Sequence, residues 1–194
     1  MSAEFVFGYG SLVARGHVPP TRAFDPEGFV TDLRDFQRCW GVAMNNAVDL
    51  PGYKYYLDEH GHRPDLYVAF LDVKPARTHL VNGVCVPVDA DELGALDERE
   101  RNYVRRDVTA LCRLPSERIR VWAYLGSPAG RRRLTTARSA GRAVVDRGYL
   151  ESVRAGFARL GEAELDACTP SLDPGGLPVR ALTRREIASI TIEA

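Results

Sequence analysis

Apolar residues in this chain come in short blocks, separated by polar stretches that carry glycine or proline. Residues 4–7 hold Phe5, Val6 and Phe7 and stop at Gly8, which predicts a short strand. Residues 29–48 carry Val30, Leu33, Phe36, Cys39, Trp40 and Val42 with mixed periodicity. They predict strands, broken around Arg34-Asp35-Phe36. Residues 66–73 and 80–88 predict two further strands; in the second, Val84, Val86 and Val88 alternate with Cys85 and Pro87. Residues 74–79 read as the connection between them. Asp89-Ala90-Asp91-Glu92 opens a helix, its acids suited to the positive end of the helix dipole. Leu93, Leu96 and Glu100 fall on one face of it by i, i+3, i+7 spacing. Residues 103–111 and 119–125 return to strand. Residues 126–136 are basic and bear glycine and proline, which predicts an exposed loop around Arg131-Arg132-Arg133. That run could bind phosphate, although a solvated face is the more common fate of such runs. Tyr149, Val153, Phe157 and Leu160 are spaced as one helix face, ended by Gly161.

The strands outnumber the long helices and do not alternate regularly with them, which argues for an α+β fold. There is no internal repeat and no interdomain linker. The expectation is one domain over residues 1–194. Within it, residues 49–65 are polar and rich in Gly, Pro and Tyr, and read as an insertion or a long loop, a lid in one reading. From about residue 166 the chain is a loop-rich tail ending in a short helix or strand.

Composition narrows the function. The 194 residues carry 26 basic and 26 acidic side chains, so there is no global field favouring nucleic acid or an anionic membrane. Cys39, Cys85, Cys112 and Cys168 are far apart and lack the paired spacing of a zinc site. They read as free thiols in a reducing compartment. No apolar run approaches a membrane span and no secretory leader is evident, so a cytoplasmic location is expected.

Two short segments carry the chemistry. In Phe7-Gly8-Tyr9-Gly10-Ser11-Leu12, glycines flank a tyrosine straight after a strand. Glycine lets a ligand approach the backbone closely, and successive N–H groups can cradle an anion. The segment lacks the Gly-Lys-Ser/Thr of a phosphate loop and the third glycine of a dinucleotide fingerprint. In Leu96-Asp97-Glu98-Arg99-Glu100-Arg101-Asn102-Tyr103, Glu98 and Glu100 point to different helix faces. Glu100 lies nearer the apolar face and is the candidate general base; Glu98 lies nearer solvent.

Tyr9-Gly10-Ser11-Leu12 followed by Leu96-Asp97-x-x-Glu100 and Tyr103 resembles the gamma-glutamylcyclotransferase-like superfamily. Val81-Asn82-Gly83-Val84-Cys85, Trp122-Ala123-Tyr124-Leu125 and the Gly148-Tyr149-Leu150 helix match its later elements in order. Leu12 and Arg101 depart from the commoner Asn and Gly, and sit nearer the glutathione-specific branch. The resemblance implies a small closed, mixed β-barrel flanked by helices, with a pocket at one end. It implies an enzyme that cyclises a γ-glutamyl group to 5-oxoproline and releases an amine or amino acid. Glu100 would be the acid/base. Tyr9, Gly10, Ser11 and Leu12 would hold the α-carboxylate and ammonium region, and Tyr103, Tyr124 and Tyr149 would line the pocket. No metal or organic cofactor is implied, and the partner is a small γ-glutamyl substrate. The leaving group and oligomeric state stay open.

Two other readings compete. One is a non-catalytic member of the same fold that binds a small anion or a partner protein. The other is a metal enzyme: His60-Gly61-His62 beside Asp58, Glu59 and Asp65 would put both rings on one side if the segment were a strand. His17 and His79 lie far from it in the sequence.

Overall fold

A computed structural model describes residues 3–14 and 18–188. The first apolar block becomes β1 (Ala3–Gly8). Residues 29–48 become β2 (Phe29–Asn45), one strand rather than several. The expected break near Asp35 is a bulge: the register slips between Arg34 and Phe36, and Asp35 sits at φ 61. An extra residue bends a strand without ending its pairing. The segment after it contains a short strand, β3 (Lys54–Leu57).

The two strands expected at 66–73 and 80–88 are a single bent strand, β4 (Tyr67–Pro87). The supposed connection stays in the ladder, with Lys74 and Pro75 opposite Gln37 and Phe36. Its bend matches the bulge in β2, because Thr78, at φ 66, donates its N–H to Asp35 Oδ1 at 2.9 Å. The acidic helix start is α1 (Ala90–Arg99), opened by a capping box in which Asp89 and Glu92 satisfy each other's backbone N–H. Two more strands follow, β5 (Tyr103–Asp107) and β6 (Ile119–Gly126).

The basic stretch after β6 is a helix, α2 (Pro128–Ser139), and not the exposed loop that its charge suggested. Ser127 caps it by accepting the Gly130 N–H at 3.0 Å, and Pro128 occupies the first helical position, where its missing N–H costs nothing. Arg131 pairs with the buried Asp72 at 2.8 Å, and Arg133 donates to Ala43 O and Asn102 Oδ1. Only Arg132 of the run is left on the exposed face.

The chain closes with β7 (Ala143–Asp146), α3 (Arg147–Leu160), α4 (Glu162–Cys168), β8 (Val179–Arg180) and β9 (Thr183–Glu186). Gly161 ends α3 as expected.

The main sheet runs β5-β6-β1-β4-β7-β8, with β2 also on β4. It is mixed: β1 pairs parallel with β6 and antiparallel with β4. Among the described residues no ladder joins β5 to β8, so backbone pairing does not trace the closed barrel that the resemblance implied. Side chains tie β6 to β4 instead: Gly126 N–H donates to Asp72 Oδ1 at 2.6 Å. The core on the helix side holds Phe5, Phe7, Phe29 and Leu33, with Val153 and Phe157 of α3 laid against it. A second ladder pairs β3 with β9 antiparallel, Lys54 opposite Glu186. The polar insertion and the tail thus form one two-stranded ribbon.

His60 and His62 lie exposed in a turn, not a strand, where Asp58 Oδ1 accepts both backbone N–H groups. Among the described residues no three His, Cys, Asp or Glu side chains converge to hold an ion. His17 lies outside the described residues. No described helix is long and apolar enough to cross a membrane.

Candidate active site

At the end of β1 the chain turns sharply into a 3-10 turn, Ser11–Ala14. Val13 N–H closes it onto Gly10 O at 3.0 Å. The N–H groups of Ser11 and Leu12 open this turn and have no backbone acceptor among the described residues. They are the N–H groups that the sequence reading offered as candidate anion donors. Glycine is needed at position 10 for close approach and not for a positive φ. A Cβ there would stand 2.9 Å from the Tyr149 hydroxyl. From below, the buried Arg38 donates Nε to Tyr9 O at 2.9 Å. Its other nitrogens reach Ser171 Oγ and Asn82, and its guanidinium lies over Phe157. Burial pulls Arg38 down to about 10.

Glu100 is the residue that ends α1. Its N–H bonds Leu96 O at 2.9 Å, and its carbonyl accepts Tyr103 N–H at 2.8 Å as β5 begins. The helix face proposed for it therefore does not aim its side chain; the cap does, since α1 stops at Arg99 and has no fully buried residue. The Glu100 side chain is 19% exposed and lines the cavity. Arg99 donates Nε and Nη2 to Oε1 at 3.1 and 2.8 Å. Among the described residues Oε2 has no hydrogen-bond partner. Glu98 is exposed and lies away from the cavity.

Two adjoining pockets meet here: a small one of about 40 Å³, walled by Tyr9, Gly10, Leu12 and Tyr124, and a larger one of about 400 Å³, walled by Tyr53, Lys54 and Tyr56. Ser11, Glu100, Tyr103 and Tyr149 line both. All eight residues singled out from the sequence thus border one space.

The tyrosines are held by specific bonds. Tyr9 donates to Tyr124 O, Tyr103 donates to Leu71 O at 2.7 Å, and Tyr124 donates to Asp97 Oδ1 at 2.7 Å. Tyr149 packs edge-on to Phe70 with centroids 5.1 Å apart, and its oxygen accepts Leu71 N–H at 3.4 Å. Desolvation raises all four phenols above their ordinary value, with Glu100 adding to the rise, so each stays a neutral hydroxyl near neutral pH.

Three contributors were not foreseen. Arg38 fixes the carbonyl of the turn. Asp146 caps α3, accepting Tyr149 N–H at 3.0 Å and so seating that tyrosine. Lys54 lines the larger pocket from the segment that read as an insertion, a long loop or a lid. The one local hint for Lys54 was its rarity: only it and Lys74 are lysines among 26 basic residues.

Among solved structures, YkqA from Bacillus subtilis is similar over 92% of this chain, with a TM-score of 0.54 and 10% identity. That likeness concerns the fold, and this chain spans 56% of YkqA's length. A solved gamma-glutamyl cyclotransferase aligns over 93% of this chain and 94% of its own at 15% identity, with a TM-score of 0.47. No curated protein sequence matches. A family model, "Gamma-glutamyl cyclotransferase, AIG2-like", matches residues 6–142, which takes in both the turn after β1 and the glutamate that ends α1. On that match the chain belongs to the gamma-glutamyl cyclotransferase, AIG2-like family.

Proposed function

We propose that this protein cyclises γ-glutamyl compounds to 5-oxoproline, with Glu100 as the acid/base. The observation that carries the reading is the position of Glu100. Its carboxylate, with Oε2 uncommitted, borders both the small and the larger pocket, as Ser11 of the turn does.

The chemistry follows from the substrate. A γ-glutamyl group carries an α-ammonium a few bonds from its own amide carbonyl. Held folded, it closes a five-membered ring, and orientation of this kind supplies several powers of ten in rate. The Ser11 and Leu12 N–H groups receive the α-carboxylate. Glu100 takes one proton from the ammonium, and the freed amine attacks the γ-carbonyl carbon. The C–N bond to the leaving group then breaks as protonated Glu100 returns the proton to the departing nitrogen; Glu100 next takes the second proton from the ring nitrogen and passes it to the released amine, which leaves as an ammonium. The neutral hydroxyl of Tyr149, which accepts Leu71 N–H and keeps its own proton uncommitted among the described residues, is suited to meet the oxyanion that forms on the carbonyl.

Incubation with γ-glutamyl amino acids, glutathione, γ-glutamyl-ε-lysine and γ-glutamyl amines, with 5-oxoproline as the readout, tests this. Release from one member, lost in Glu100→Gln, is expected. Silence across the panel from folded protein overturns the proposal in favour of a binding module.

A further inference from the structure

The larger pocket holds a cation that the cyclisation does not use. Lys54 Nζ lies over the Phe70 ring at 4.4 Å and the Tyr53 ring at 5.5 Å. These contacts give partial compensation for leaving water. Among the described residues it has neither a hydrogen bond nor an ion pair. The neighbouring cations are committed: Arg99 to Glu100, and Arg184 to Glu186. Asp146, also on the wall, is occupied by the N–H groups of Tyr149 and Leu182. Lys54 is half-buried, and burial brings its ammonium down to about 8. A cation kept in such a place, with no carboxylate of the described residues within ion-pair distance, is unfavourable unless something supplies more negative charge.

Resting on the cyclisation reading above, we propose that Lys54 is the receptor for a carboxylate on the leaving group, so that γ-glutamyl amino acids and peptides are preferred over γ-glutamyl amines. The layout assigns the end of the substrate that it meets. The α-carboxylate goes to the Ser11 turn, and the reacting carbon stands by Glu100. The larger pocket, about 400 Å³, also borders Glu100 and has the room for a further residue that the 40 Å³ pocket lacks. The leaving group is therefore placed there, between Tyr53, Tyr56 and Phe70, where Lys54 is the uncommitted cation. The ribbon that carries Lys54 is thereby a specificity element, and the sheet carries the chemistry.

The test compares γ-glutamyl-alanine with γ-glutamyl-alaninamide, which differ only in the carboxylate. Calorimetric binding to Glu100→Gln, where no turnover complicates the reading, is expected to favour the acid by about 10- to 100-fold, the usual range for a charge-assisted hydrogen bond. Adding Lys54→Met is expected to bring the two within about twofold by weakening the acid, and Lys54→Arg to retain most of the preference. Lys54→Gln, a polar replacement, serves as the second variant if Lys54→Met does not fold. An acid-to-amide ratio unchanged by the loss of Lys54 overturns the inference. So does an equal loss for both ligands, which would assign Lys54 to the γ-glutamyl end. Assay of 5-oxoproline from the unsubstituted protein separates the two proposals. No release with the binding ratio intact overturns cyclisation alone, whereas release at equal rates from acid and amide overturns the role of Lys54 alone.

Discussion

Replacing Lys54 by Met should make the protein more stable while removing a recognition group. The ammonium falls from an ordinary 10.5 to about 8, chiefly through desolvation. Glu100, Glu186 and Asp146 pull it up and Arg184 pushes it down, and burial outweighs their sum. At ~1.4 kcal/mol per tenfold, that fall corresponds to about 3 kcal/mol of penalty on the charged folded form. Lys54 is only half-buried, so solvent screening reduces this to roughly 1–2 kcal/mol. The sign follows from proton counting. Below about pH 8 the folded protein carries the charged lysine and the full penalty. Between about 8 and 10.5 the unfolded chain holds more protons than the folded one, so the stability contributed at this site rises with pH. Above that window the penalty is gone. Met keeps the apolar length over Phe70 and has no charge to desolvate.

The expected result in urea titrations at about pH 7 is a Lys54→Met protein more stable by roughly 1–2 kcal/mol, or roughly 2–8 °C in Tm for a domain of this size. At about pH 10 the gap should close. Arg38 and the cavity tyrosines titrate in both proteins and cancel in the difference. A variant that is less stable at neutral pH, or a gap that ignores pH, refutes the reasoning: Lys54 would then have a counter-charge or a solvated position.

Three more perturbations check other parts of the site. Glu100→Gln should lower 5-oxoproline release by about 10²- to 10⁴-fold, with substrate affinity within a few-fold; near-normal turnover would remove Glu100 from the chemistry. Asp72→Ala leaves the Gly126 N–H and the Arg131 guanidinium without their buried acceptor. It should cost about 3–5 kcal/mol by denaturant titration, and a loss under about 1 kcal/mol would mean that β6 is not tied to β4 this way. Gly10→Ala places a methyl against the Tyr149 hydroxyl and should cut kcat/KM on the order of tenfold to a hundredfold through displacement of that ring. Unchanged kinetics would show that Tyr149 is not held where the substrate needs it.

Legibility in the sequence followed the range of the interactions involved. The turn after β1 and the acidic start of α1 are local, encoded within a few neighbours, and both were readable. The bulge at Asp35 was readable as an interruption. That the strand continues through it was not, because the continuation depends on Thr78 bending the partner strand in step. The helix α2 was hidden behind its arginines. Ser127-Pro128 is an adequate start signal, yet the charge of Arg131 and Arg133 suggested solvent, and only the distant Asp72, Asn102 and Ala43 explain why they turn inward. The ribbon is the extreme case. Lys54-Tyr55-Tyr56-Leu57 and Thr183-Arg184-Arg185-Glu186 have no amphipathic pattern of their own and become strands only on each other. The parts of the candidate site proposed to move protons and hold the γ-glutamyl end are thus local motifs. The part proposed to meet the leaving group is made by pairing across most of the chain. A search by short motif finds the family of such a protein and misses the recognition group proposed here, because what puts Lys54 over Phe70 is its pairing with a strand more than a hundred residues away.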